Sequence, residues 1–495
     1  MSINKLLIVV LLASAAALSG CKDSLFGQSQ PASEQPQTPP APLVVDGVRA
    51  SYADIVERTS PAVVQIEARH KQKTGVQGQQ SPFGDDLFRQ FQNPQLNQRP
   101  PVERGVGSGV LVSADGSILT NHHVVDGADK ITVTMSDNKT YDAKVVGSDK
   151  PSDLAVLKVD GANLPFLTLG NSDSVRVGDI VLAIGNPLGI GQTVTAGIIS
   201  AKGRRTGLSD GSFEDFLQTD APINRGNSGG ALVNLNGELI GINSQILSGG
   251  AGGGNIGIAF SIPSNMARSV MEQLIKDGKV RRGRLGVGIQ NVTEDLAQAL
   301  QLEQRGGVIV NDVRPGSAAD KAGIKRNDLI IAINGEKIED SNVLRNKVAG
   351  TQPGTEIKVT VLRDGKQIDL AASLDEFDVG SGNKLGQGET GDENDPGAQD
   401  QSGKLGLSLE PLTQQTAKRL GLGADVEGLV VTNVEQGGPA AEAGISQGDV
   451  ILEINRKQVA SINDVRTALE NAGARPVLLL ISRRGQTVYL TVRPE

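Results

Sequence analysis

Ser228 sits in the run Gly226-Asn227-Ser228-Gly229-Gly230. A serine becomes a nucleophile when a tight turn exposes its hydroxyl and backbone N–H groups aim at the oxyanion that forms. Flanking glycines permit both the turn and the close approach of a substrate. The same pentapeptide also suits a plain glycine-rich turn, so it gains meaning only with partners. The chain has 3 histidines, His70, His122 and His123, and all precede Ser228. An α/β-hydrolase opens this pentapeptide in the order Ser, Asp, His. No histidine follows Ser228, so that fold cannot supply a base. The order left is His, Asp, Ser, that of the chymotrypsin type, and the chemistry is acyl transfer through a serine ester.

The elements that would position these groups are short strands. The doublet His122-His123 stands between Ser117-Ile118-Leu119 and Val124-Val125. This predicts an ordered base at a strand end facing a cleft. Asp153 heads the apolar run Leu154-Ala155-Val156-Leu157, although acids are numerous and a solvated turn residue has the same appearance. Ala62–Ile66 alternates as a strand does. Further strands are expected at Gly109–Ser113, Ile131–Met135, Ala155–Val159, Ile180–Ile184, Ile198–Ser200, Ala231–Asn234 and Ile240–Asn243. Their spacing suggests a β-barrel or sandwich. A helix is expected over Ser264–Lys276, capped by Ser264 or Asn265 and stopped by Gly278.

The last third of the chain carries a repeat. Gly307–Val313 matches Gly428–Val434, Ala322-Gly323-Ile324 matches Ala443-Gly444-Ile445, and Asp328 matches Asp449. The spacing is a constant 121 residues, as from Gly307 to Gly428 and from Asn334 to Asn455. A tandem duplication explains this. The Gly-, Asp- and Gln-rich stretch 376–403 between the copies reads as a flexible acidic linker.

With 495 residues the chain fits about three domains. The net charge of −8, the absence of Trp and the scarcity of Tyr argue against a nucleic-acid partner. One cysteine and three histidines leave no intramolecular disulfide and make a metal site improbable. That cysteine, Cys21, ends Leu18-Ser19-Gly20-Cys21 after Lys5 and an apolar run too short to span a bilayer. This reads as a lipoprotein-type leader whose Cys21 thiol carries the lipid. Each acyl CH₂ buried would contribute ~0.8 kcal/mol to membrane binding. The Gln/Pro/Ser-rich stretch that follows reads as a tether, and the Gln/Pro-rich 71–104 as a long loop with the apolar residues Phe83, Leu87, Phe88 and Phe91.

Three runs in order, Thr120-Asn121-His122-His123-Val124-Val125, Ser152-Asp153-Leu154-Ala155-Val156-Leu157 and Thr219–Leu232 around Ser228, resemble the HtrA (Do-like) serine protease family. So does Ile256–Pro263. The resemblance covers roughly residues 50–495. It implies a mainly β chain: a chymotrypsin-like double β-barrel protease domain followed by two α+β PDZ domains. It selects His123, directly before Val-Val, as the base, with Asp153 as its orienting acid and Ser228 as nucleophile. His122 is then a neighbour without a catalytic role. It further implies an oxyanion hole from the Gly226 and Ser228 amides with Asn227 between them, and a small apolar S1 pocket lined partly by Ile223 and Phe260. No metal or cofactor is implied.

The organisation expected is a leader over 1–20, a tether over 21–46, a protease domain over 47–280, a PDZ domain over 281–375, a linker over 376–403 and a second PDZ domain over 404–495. By resemblance, each PDZ domain would bind a C-terminal peptide by strand addition. The carboxylate loops would be Gly283-Arg284-Leu285-Gly286-Val287 and Leu405-Gly406-Leu407. The implied function is ATP-independent cleavage of unfolded or misfolded envelope proteins in the periplasm under stress. The expected assembly is a homotrimer or multiples of it, held at the inner or outer membrane by lipid. Two other roles weigh against this: a regulated cleaver of a single target, whose relatives carry one PDZ domain, and a chaperone scaffold without catalysis, which the intact triad disfavours.

Overall fold

The computed structural model describes residues 44–45, 48–70, 104–187, 191–206, 213–224, 226–248, 255–300, 302, 306–377, 401–402, 405–420, 422–423, 426–472 and 476–493. The expected leader with Cys21, most of the expected tether, the Phe83–Phe91 stretch and nearly all of the expected acidic linker lie outside them.

Six strands close the first barrel: β1 (Val63–Arg69), β2 (Arg104–Leu111), β3 (Ser117–Thr120), β4 (Lys130–Thr134), β5 (Thr140–Asp149) and β6 (Leu154–Val159), in the order β1-β2-β3-β6-β5-β4. Alternation along each strand sends one set of side chains inward. Val64, Ile66, Val110, Ile118, Val133 and Leu157 are accordingly buried. A second closed barrel has β7 (Ile180–Gly185), β8 (Thr193–Arg204), β9 (Phe216–Thr219), β10 (Ala231–Asn234), β11 (Leu239–Ser248) and β12 (Asn255–Pro263), in the order β8-β9-β12-β11-β10-β7. Val181, Ala183, Ile199, Leu217, Leu232 and Ala259 fill it. Closure removes the free strand edges that short strands would otherwise expose.

One local expectation changes. The helix after the second barrel, Ser264–Asp277, is entered from Pro263, with no side-chain cap. The Ser264 hydroxyl donates instead to the Gly170 carbonyl (2.9 Å), and Asn265 Nδ2 donates to Asn171 Oδ1 (2.8 Å). With Pro263 at the cap position, a tertiary partner serves the helix start: the Asn265 amide donates to Ser172 Oγ (3.2 Å). Gly278 ends the helix at φ 68°.

The duplicated segment folds twice into a sheet of the same order. In the first copy the strands are β13 (Val287–Asn291), β14 (Val308–Val313), β15 (Leu329–Ile333), β16 (Glu356–Arg363) and β17 (Lys366–Ser373). In the second they are β18 (Leu407–Pro411), β19 (Leu429–Val434), β20 (Val450–Ile454), β21 (Val477–Arg483) and β22 (Gln486–Val492). The repeated aspartates explain part of the sequence match. Asp328 is fully buried and pairs with Arg363 Nε (2.6 Å), whose Nη2 also donates to the Gly323 carbonyl (2.7 Å). Asp449 does the same with Arg483 Nε (2.7 Å), whose Nη2 reaches the Gly444 carbonyl (2.6 Å). Each carboxylate also accepts an amide three residues upstream, from Lys325 or Ser446 (both 2.8 Å). The ion pair thus pins the turn before a central strand to the end of the neighbouring strand, β16 or β21. Removing one member of a buried pair strands the other, so Asp328→Ala is expected to destabilise the first copy by about 3 kcal/mol. Calorimetry checks this: the melting transition of that domain moves down, and an unmoved transition shows the pair to be incidental.

Candidate active site

Strand β3 ends at Thr120, and the chain turns at Asn121 into a four-residue helix, α1 (His122–Val125). The expected strand end is therefore a short helix. Its reason is packing: Val124 and Val125 bury their side chains, which leaves the intervening His122-His123 peptide at the helix start beside Asp153. The Asp153 carbonyl accepts from the His122 amide (3.1 Å) and from Asn121 Nδ2 (3.0 Å). Asp153 itself follows a single 3-10 turn, Lys150–Ser152, and adopts a left-handed conformation (φ 53°, ψ 41°). Aspartate tolerates this region better than bulkier residues, and the turn aims its carboxylate at α1.

His123 Nδ1 lies 2.9 Å from both Asp153 Oδ1 and Oδ2, and the His123 amide donates to Oδ1 (3.1 Å). Burial works to lower the imidazole pKa, but the Asp153 charge and hydrogen bond together outweigh it and raise the pKa above its ordinary value. The ring is crowded on the Asp153 side, yet the His123 side chain keeps 48% of its surface exposed, so solvent screening moderates the effect. Burial likewise works to raise the Asp153 pKa. The charge of His123 and hydrogen bonds from its ring and amide and from Ser244 hold it below the carboxylate range. His122 points elsewhere, with Nε2 3.8 Å from Asp126 Oδ1. His70 Nδ1 lies 3.0 Å from the Gly127 carbonyl.

Ser228 occupies a turn between glycines in left-handed conformations, Gly226 (φ 92°) and Gly229 (φ 82°). At Gly229 a Cβ would stand 2.1 Å from the Ser108 carbonyl oxygen, so only glycine lets the turn press against β2. The Ser228 hydroxyl donates to the Ser244 carbonyl (3.0 Å), and the Ser244 hydroxyl donates to Asp153 Oδ2 (2.9 Å). Ser244 therefore links the serine and the acid from β11. Sequence reasoning missed it, because Ile242-Asn243-Ser244-Gln245 carries no local sign of chemistry. Among the described residues, the Gly226 and Ser228 amides donate to no acceptor, whereas the Asn227 amide donates to the Asn224 carbonyl (3.0 Å). Asn227 is buried, and its Oδ1 has no hydrogen-bond partner among the described residues.

The two residues expected to line S1 lie in the second barrel. Ile223 is part of its core, and its carbonyl accepts from Asn255 Nδ2 (3.0 Å). Phe260 stands on β12 against Phe216, ring centroids 5.7 Å apart. The first expected peptide loop runs from Gly283-Arg284, paired with Asp375–Glu376, into Val287 at the start of β13. The second reaches β18 at Leu407. In both, the carbonyls face inward: those of Leu285 and Gly286 accept from the Ala319 (2.8 Å) and Arg314 (2.9 Å) amides, and those of Leu405 and Gly406 from Ala440 (3.1 Å) and Glu435 (2.9 Å). Among the described residues the Leu285, Gly286, Leu405 and Gly406 amides donate to no acceptor. Free amides at a turn are what a carboxylate binds.

The chain matches the trypsin-like peptidase domain family over residues 107–242 and PDZ domain families over 283–374 and 430–483. It is 41% identical over 465 residues to a probable periplasmic serine endoprotease, DegP-like, of Chlamydia trachomatis, covering 90% of this chain and 89% of that protein. It is 40% identical over 449 residues to the periplasmic pH-dependent serine endoprotease DegQ of Escherichia coli, covering 90% and 91%. Among solved structures, the HtrA-type protease AlgW with tripeptide is 43% identical with a TM-score of 0.54, covering 67% of this chain and 99% of that one.

Proposed function

The chain belongs to the HtrA family as a DegP/DegQ-type serine endoprotease with PDZ domains, and from that premise we propose that it degrades unfolded or misfolded proteins of the bacterial envelope without ATP, as part of a stress response. His123 is the general base, Asp153 its orienting acid and Ser228 the nucleophile. One observation carries this reading: the His123 ring is held by both Asp153 oxygens while Ser244 joins that same carboxylate to Ser228. The Ser228 hydroxyl turns from the Ser244 carbonyl toward His123 Nε2, gives up its proton there, and its Oγ attacks the peptide carbonyl. The Gly226 and Ser228 amides receive the oxyanion, with Asn227 shaping the turn. His123 then returns the proton to the leaving amine, and water hydrolyses the ester by the same route.

Ile223 and Phe260 give the S1 pocket its apolar wall and a preference for small apolar residues. The domain limits proposed are 47–280 for the protease and 281–375 and 404–495 for the PDZ domains. The loops Gly283–Val287 and Leu405–Leu407 take C-terminal peptides of substrates. Cys21 carries a lipid, and the chain works in the periplasm from a membrane anchor, as a homotrimer or multiples of it. Purified protein is expected to hydrolyse casein, faster with an apolar C-terminal peptide added, at a mass that is a multiple of three protomers. Stable casein over a long incubation, with or without peptide, overturns the reading.

A further inference from the structure

Ser108, in the middle of β2, is fully buried and uses every hydrogen-bonding group it owns on the turn that holds Ser228 and on what surrounds it. Its hydroxyl donates to the Gly226 carbonyl (2.5 Å) and accepts from the Asn186 amide (2.8 Å), so its orientation is fixed from both sides. Its amide donates to the Ser228 carbonyl (2.8 Å). Its carbonyl accepts from Thr120 Oγ1 (2.7 Å), at the end of the strand that leads to His123. One residue of the first barrel therefore touches the serine turn on both sides of Asn227, the strand before the base, and the chain just after β7 of the second barrel.

The peptide planes give this a consequence. The plane between Gly226 and Asn227 is held at its carbonyl by the Ser108 hydroxyl and at its amide by the Asn224 carbonyl (3.0 Å). The plane between Asn227 and Ser228, which carries the Ser228 N–H, is held at the Asn227 carbonyl by the Gly230 amide (2.9 Å). The plane after Ser228 is held by the Ser108 amide and by the Asn243 carbonyl, which accepts from Gly229 (2.7 Å). The Gly226 N–H is separated from the first of these planes by the rotations at a single glycine, whose φ of 92° needs no side chain to hold it. We infer that Ser108 is a positioning residue for the oxyanion donors: its hydroxyl locks the Gly226–Asn227 peptide, and through it the direction of the Gly226 and Ser228 amides. The inference rests on the proposed role of those amides. It extends that role to a residue of the other barrel that never meets the substrate.

The test compares the full chain with Ser108→Ala, using a peptide boronate with valine next to boron. Ser228 Oγ bonds to the trigonal boron, its proton passes to His123, and the anionic tetrahedral adduct mimics the oxyanion. Donors misplaced by about 1 Å cost about 100-fold, so turnover of casein and affinity for the boronate are expected to fall together by about that factor. Casein binding, read by comparing Ser228→Ala with Ser108→Ala/Ser228→Ala, is expected to be unchanged. Unaltered turnover and boronate affinity in Ser108→Ala overturn the inference and leave the protease reading standing. An equal loss of casein binding also overturns it, because the residue is then merely structural. A wild-type chain that cleaves no casein fails the protease reading itself. Should Ser108→Ala not fold, Ser108→Cys keeps the shape, weakens both hydroxyl bonds and reads the same ratio.

Discussion

Ser228→Ala is expected to lower casein turnover by about six orders of magnitude while leaving the fold and the capture of unfolded protein intact. The magnitude follows from the loss of the covalent route: with no Oγ, only binding and the oxyanion donors remain to accelerate attack by water. The fold survives because, among the described residues, the hydroxyl makes a single hydrogen bond, to the Ser244 carbonyl. The turn is held by backbone groups of Ser108, Asn243, Asn224 and Asn227 instead. The measurement pairs casein hydrolysis with a melting curve and a binding assay on the same preparation. Cleavage at the wild-type rate removes Ser228 from the mechanism. Loss of binding together with turnover shows that the serine supports the groove rather than the reaction.

The site was legible in the sequence where chemistry needs a particular residue type within a local pattern. The glycine-bounded serine, the absence of any histidine after it, and the acid at the head of an apolar run were enough to put the three candidate partners in order. The family pattern was needed to choose His123 over His122. The structure supplies the physical counterpart: His123 lies against Asp153, and His122 is turned toward Asp126. What stayed illegible was every contact made between the barrels. Ser108 and Ser244 are ordinary strand serines in sequence, and they matter because the fold brings β2 and β11 against the turn. The Ser264 cap failed for the same reason, since the cap position falls one residue earlier than expected, at Pro263, and a hydroxyl far away in sequence, that of Ser172, accepts the Asn265 amide. The repeat was legible as a repeat, but the meaning of Asp328 and Asp449 required Arg363 and Arg483, which lie some thirty residues downstream of them.

Asp153→Asn is expected to cost about four orders of magnitude in turnover and to move the acid limb of the pH–rate profile downward. Asparagine keeps the shape and, with its one oxygen at the Oδ1 position, still accepts from the His123 amide, while the Ser244 hydroxyl loses its acceptor at Oδ2. Opposite His123 Nδ1, however, it can place an NH₂ that donates, which fixes the ring proton on Nε2, where the Ser228 proton has to go. The wrong tautomer accounts for the rate loss. The pH shift follows from charge. In the wild type, burial works to lower the His123 pKa, and the Asp153 charge and hydrogen bond raise it further than burial lowers it. The base must be neutral to act, so wild-type activity appears only as pH rises through a value above that of an ordinary imidazole. Without the carboxylate, burial is unopposed and the limb moves to lower pH. Stability has its own sign. The raised pKa of His123 makes the pair stabilising at low pH, with that contribution lost as pH rises through the folded value. The lowered pKa of Asp153 makes its contribution present above the ordinary carboxylate value and lost on strong acidification. The pair is therefore strongest between those two limits, and Asp153→Asn should lower the melting temperature most in that window. His122→Ala, which leaves the His123–Asp153 contact in place, is expected to change neither the rate nor the limb. A limb that stays put in Asp153→Asn, or moves in His122→Ala, assigns the titrating base to another group.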